Sequence, residues 1–108
     1  MVAAGKFNRR VTIEQITSSR DGIGGEIETW STFATVWAEF VSQSSRKFVA
    51  AKQVHSELTA LIRIRYRSGI TAQMRVRYGS RIFQLVAAPI NVKEGGESLE
   101  LMCREIDG

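Results

Sequence analysis

The stretch Leu61–Leu85, LIRIRYRSGITAQMRVRYGSRIFQL, decides the fold. Arg63, Arg65 and Arg67 occupy every second position, with Ile62, Ile64 and Tyr66 between them. Successive side chains of a strand point to opposite faces, so this spacing gives one apolar face and one charged face. A helix would scatter the same arginines around its circumference, so the alternation selects a strand. After a break at Ser68-Gly69, Met74, Val76 and Tyr78 alternate with Arg75 and Arg77. Gly79-Ser80 is a two-residue hairpin signal that returns the chain into Arg81–Val86. No Asp or Glu lies between Leu58 and Lys93, an interval that holds six arginines. The expectation is an antiparallel meander with a basic exterior: Arg63, Arg65, Arg67, Arg75, Arg77 and Arg81 outside, Tyr66 and Tyr78 on the apolar side.

The flanking segments extend this pattern. Arg9–Thr17 alternates Val11 and Ile13 with Arg10, Thr12, Glu14 and Ile16, and reads as a first strand. Ser18–Glu28, with Asp-Gly and Gly-Gly, reads as a projecting, mobile loop too long for a tight hairpin; such loops often carry function. Glu26 and Glu28 share a strand face, a spacing expected of solvated carboxylates here. Ala34–Ser42 reads as a second strand, with Trp37 as core anchor and Trp30 at its rim. Ser42–Ser45 supplies N-cap candidates for a short helix, Arg46–His55, in which Lys47, Ala50, Ala51 and Val54 share a face beside Phe48. Ser98–Ile106 closes the chain as a strand with Leu99, Leu101 and Cys103 inward, and Glu100, Met102, Arg104 and Ile106 outward. Met1–Phe7 is expected to be flexible.

Composition and length set the class. A chain of 108 residues at 44% hydrophobic and 24% charged reads as a single globular domain, 1–108. Its apolar runs are too short to span a bilayer, and its N-terminus lacks a signal-peptide core. One cysteine, Cys103, allows no internal disulfide and is expected as a small buried hydrophobe. A net charge of +4 and a pI near 9.7 suit nucleic acid or an acidic protein face as partner. Catalytic chemistry is missing: there is no phosphate loop, no nucleophile–base set and no metal-ligand cluster, and Gly22–Gly25 (GIGG) opens no helix. His55, the single histidine, is expected at a helix end. No enzyme, cofactor, metal or membrane role is expected.

Several blocks in fixed order resemble the small head–tail joining proteins of tailed bacteriophages, of the head-closure or stopper type. They are Gly5 with Arg10–Glu14 (RVTIE), Asp21–Trp30 (DGIGGEIETW), Val36–Ala38 (VWA) and Arg46–Val54 (RKFVAAKQV). Ile64–Val76 follows, and then the short strand ending at Cys103. Together they run over nearly the whole chain. Lys47 departs from the family, many members of which carry an acidic residue at the helix start. The resemblance implies a mainly β fold: a small antiparallel β-barrel or barrel-like sheet with one short helix and a long Gly-rich loop. It implies a virion neck protein, made in the bacterial host cytoplasm or from a prophage. Its copies would form a ring, twelve-fold in the virion, below the portal and its adaptor. That ring would retain packaged DNA, lie close to double-stranded DNA without reading it, and offer the tail a docking surface.

A ring needs two different surfaces on each copy. The arginine row would be one, facing a neighbouring subunit or the channel. The loop residues Arg20, Asp21, Gly22, Gly24, Gly25 and Glu26 would contact a partner. Glu14, Glu26, Glu28, Glu97, Glu100 and Glu105, lying elsewhere in the chain, would meet the arginines of another copy. The rival readings are a small basic nucleic-acid-binding β-barrel and a regulatory protein that binds an acidic partner. A single-strand binder interleaves exposed aromatics with its basic residues, and the meander places its tyrosines on the core side instead.

Overall fold

A computed structural model describes residues 7–20, 22, 24–93 and 97–106. Seven strands and a helix follow in order: β1 (Arg9–Arg20), β2 (Glu26–Phe40), α1 (Arg46–Val54), β3 (Ala60–Arg65), β4 (Arg75–Tyr78), β5 (Arg81–Leu85), β6 (Ile90–Val92) and β7 (Ser98–Ile106). Neighbours run β3-β2-β1-β4-β5-β7-β6, and β3 also pairs with β7, so six strands close into a ring with β6 beside β7. All these pairings are antiparallel. The fold is mainly β with one short helix, as the alternation predicts.

The meander is corrected. β4 and β5 form the expected hairpin, with Gly79 at φ 60° and Tyr78 opposite Arg81. β3 and β4 do not pair: β3 lies between β2 and β7, and β4 between β1 and β5. Residues 66–74 form the connection between them. Gly69, at φ 90°, sits so close to Phe33 that a Cβ there would meet the ring Cζ at 3.1 Å. Arg67 and Tyr66 fall beyond the end of β3, so the alternation stops before Tyr66, which is exposed rather than core. Tyr78 packs against the core with Phe40, their ring centroids 5.3 Å apart.

Inside the barrel, Val11, Ile13, Ala38, Ile62, Ile64, Val76, Phe83, Leu85, Leu99, Leu101 and Cys103 make one cluster with Met74. Each large side chain fully buried there contributes about 1.5–3 kcal/mol. Cys103 is fully buried, and burial pushes its thiol up to about 12, so it packs as an apolar group. A second cluster lies on the barrel's outer side. Leu61 and Met102 are register partners, and Phe48 of α1 and Leu58 complete the cluster. That cover explains why Leu61 and Ile62 are both buried despite opposite parity, and why Met102 can face outward.

Ser45 caps α1, its Oγ accepting from the Phe48 amide at 3.1 Å, and His55 sits at the C-terminal cap. The shared face expected on this helix is displaced. Phe48 is its buried residue and Ala51 is half-buried, whereas Lys47, Ala50 and Val54 are exposed. Docking on the Leu61–Met102 pair turns the Phe48 side, not the Val54 side, to the sheet.

β1 and β2 pair from Arg9 and Ala38 out to Arg20 and Glu26, with a register shift at Ile13/Glu14. β4 takes β1 only at Thr12–Glu14, and β3 takes β2 only at Ala38–Phe40. The rest of the hairpin is therefore a two-stranded arm, and the molecule measures 51 × 29 × 24 Å. The loop expected over Ser18–Glu28 is accordingly narrower. Ser18–Arg20 and Glu26–Glu28 complete the ladder, in which the backbone groups facing the partner strand pair and the outer-edge groups are left to solvent. Asp21 and Ile23 lie outside the described residues, as does 1–6 of the flexible segment expected at the N-terminus; Phe7 is described and is buried.

Trp37 is corrected too. It shares parity with Thr35 and Glu39, whereas Ala38 points into the barrel, so Trp37 lies outside and is 50% exposed. Trp30, in the arm, is half-buried.

Candidate functional site

The outer barrel face collects every second side chain of each strand, and acids distant in sequence reach the arginines there. Glu14 of β1 accepts from Arg75 Nε at 2.7 Å and from Arg77 Nε at 3.1 Å. The Arg75 guanidinium also lies 4.0 Å from the Trp30 ring centroid. Arg63 donates to Glu39 at 3.2 Å and to Glu100 at 3.0 Å, and Lys47 reaches the same Glu100 oxygen at 2.7 Å. Lys47, the family departure, thus holds a carboxylate. Arg63 Nε is buried with no acceptor among the described residues. Arg81 makes a two-point contact with Glu105 at 2.9 and 3.0 Å.

The electrostatics follow from these contacts. Burial works to raise the Glu100 carboxyl, but the hydrogen bonds and charges of Lys47 and Arg63 outweigh it and hold it below its ordinary value. Hydrogen bonding to Arg81 lowers Glu105, and the same bond raises Arg81.

The six arginines therefore do not form one row. Arg63 and Arg65 stand on β3 and Arg67 follows it; Arg75 and Arg77 stand on β4, beyond two intervening strands in either direction round the barrel, and Arg81 stands on β5, beyond β7. Arg63, Arg75, Arg77 and Arg81 are each held by a carboxylate within the chain, Arg75 and Arg77 sharing the one charge of Glu14. Arg65 and Arg67 carry no ion pair among the described residues and are exposed. Of the loop candidates, Arg20 and Glu26 are register partners at the arm's last pair, and Gly22, Gly24 and Gly25 belong to the connection beyond it. Asp21 lies outside the described residues.

Reading the sequence alone missed a patch around Trp37. Its cross-strand partner Arg10 places a guanidinium 5.4 Å from the Trp37 ring centroid. Arg65 lies 5.6 Å from the Phe7 ring centroid, and Phe7, Asn8, Trp37 and Arg65 line one open depression. The signal was available in the parity of Trp37 with Glu39. Among the described residues, no group of three or more His, Cys, Asp or Glu could hold a metal ion, and no helix is long and apolar enough to cross a membrane.

Known proteins share both the sequence pattern and this architecture. A family model described as "Phage head completion protein" matches residues 2–106. The chain is 28% identical over 105 residues to head completion protein gp7 of Enterobacteria phage HK97, covering 93% of each. It is similar to the solution structure of protein SF1141 from Shigella flexneri 2a, with TM-score 0.75, 28% identity and 96% of each chain covered. It shares its fold with a chain in the virion of a native gene transfer agent particle, at TM-score 0.62 and 23% identity, over 94% of this chain and 96% of that one.

Proposed function

The chain belongs to the phage head completion protein family, and on that footing we propose that its copies form a ring below the portal and its adaptor. It is a structural, non-enzymatic virion component of the head–tail junction. In the proposed role the ring retains packaged DNA and presents a docking surface to the tail. One observation carries this reading: a closed barrel bears a two-stranded arm reaching well beyond its own ladder partners. A closed barrel has few sheet edges left for its own use, so the projecting arm is free to engage something else. Four of the six arginines between Arg63 and Arg81 are held internally, which suits a wall along which DNA must slide better than a phosphate clamp.

The test is genetic and visual. Particles made without this chain should appear by electron microscopy as heads lacking tails and leaking DNA, and supplying the chain should restore tailed, filled particles. Tailed, DNA-filled particles that lack the chain would overturn the reading.

A further inference from the structure

We propose, resting on the ring reading above, that the arm of one copy docks on the Trp37 patch of a second copy. Ile16 packs against the Trp37 ring, and Glu28 enters between Arg10 and Arg65.

Charge complementarity selects this occupant. Arg10 and Arg65 carry no ion pair among the described residues, whereas Arg63, Arg75, Arg77 and Arg81 all do. Glu28 likewise carries none, and it is exposed. Of the described carboxylates without an ion pair, Glu28 is the one that stands on a strand beside an exposed apolar side chain. Register pairs Ile16 with Trp30 and Ser18 with Glu28, so Ile16 and Glu28 are diagonal neighbours on one face of the arm. Such neighbours lie about 7–8 Å apart. The patch has matching content: Trp37 at 50% exposure, its cross-strand partner Arg10, and Arg65 on the next strand beyond. Apolar-plus-acid meets apolar-plus-base. Tryptophan and arginine are also the residues that most often dominate binding energy at interfaces.

Geometry requires the second copy. Glu28 and Trp37 stand on the same strand, and nine residues of extended chain keep them about 30 Å apart. The arm cannot reach the patch of its own barrel. A contact between two different surfaces of identical copies is head-to-tail, and it closes into a ring when the rotation permits.

The test uses particles carrying the full-length chain. The double variant Ile16→Cys with Trp37→Cys should give, on mild oxidation, a ladder of covalent multimers, and neither single variant should; Cys103 is fully buried and stays silent. A charge swap guards against a cysteine variant that fails to fold. Glu28→Arg, or Arg10→Glu with Arg65→Glu, should each lower incorporation into particles at least about tenfold, and combining them should restore it. Normal incorporation with no ladder and no effect of the swap would overturn the docking while leaving the ring reading intact. Absence of the wild-type chain from particles would overturn the ring reading and the docking with it. Binding of a single-stranded oligonucleotide by the free chain, lost in Trp37→Ala and unaffected by Glu28→Arg, would assign the patch to nucleic acid instead.

Discussion

Glu14 and Arg75, separated by 61 positions in the chain, face each other across the β1–β4 pair with Oε1 accepting from Nε at 2.7 Å. The other side of that guanidinium meets Trp30 of the arm, so one arginine fastens arm to barrel. Both side chains are largely withdrawn from solvent, at 14% and 12% exposure. Glu14→Ala leaves Arg75 with an uncompensated charge and should cost about 3 kcal/mol. Arg77→Ala removes the more exposed donor to the same carboxylate and should cost about 0–1 kcal/mol. Urea midpoints at unchanged slope read both values. Equal, mild effects would mean that Glu14 does not anchor the arm.

Glu100 makes stability depend on acid. Its carboxyl is depressed in the folded chain by Lys47 and Arg63 and returns to its ordinary value on unfolding. The stabilisation is thus fully present above the ordinary carboxylate value of about 4.3 and is lost as pH falls through the lower folded value. Glu100→Gln should reduce stability at neutral pH by about 1–3 kcal/mol. Its deficit should then shrink as pH falls below about 4. Denaturant titrations of both proteins at neutral and acid pH give the difference; a deficit constant with pH would remove Glu100 from the acid response.

Strand character, the β4–β5 hairpin, the N-cap at Ser45 and the inward residues of β7 were all legible, because each depends on local alternation or turn chemistry. What closes the barrel was not. Whether β3 pairs with β4 or with β2 and β7 is a choice among distant partners, and alternation is blind to it. The same blindness hid the ion pairs: an interval without acids looks uniformly basic until Glu14, Glu39, Glu100 and Glu105 arrive from other strands. Trp37 was misplaced because hydrophobicity outweighed parity in reading it. Had Trp37 been grouped with Thr35 and Glu39, its exposure would have followed, and with it the patch beside Arg10.

The outer cluster should behave as a core despite lying outside the barrel. Leu61→Ala removes a buried side chain between α1 and the sheet and should cost about 2–5 kcal/mol. Val54→Ala, on the same helix but 76% exposed, should stay within about 0.5 kcal/mol. Thermal or denaturant unfolding distinguishes them. A large effect at Val54 with none at Leu61 would mean that the helix docks by its other face.

The internal ion pairs also separate a protein-facing surface from a nucleic-acid-binding one. If all six arginines of Arg63–Arg81 gripped phosphates, affinity for DNA would fall by about 10³ between 50 and 200 mM salt. Four of the six are held by carboxylates of their own chain, which leaves Arg65 and Arg67. Each phosphate neutralised adds about 0.9 to the slope of log affinity against log salt, so this set should contribute a slope no steeper than about 2. Filter binding or fluorescence anisotropy across a salt series measures it. The two kinds of arginine should also answer reversal differently. Arg65→Glu acts at an exposed site and should leave folding unchanged. Arg77→Glu sets a second carboxylate against Glu14 and should lower the unfolding midpoint in the isolated chain. A steep salt slope that Arg77→Glu lowers by about 1 or more in a chain that still folds normally would show that Arg77 serves phosphate rather than Glu14, and would return the protein to the nucleic-acid-binding class.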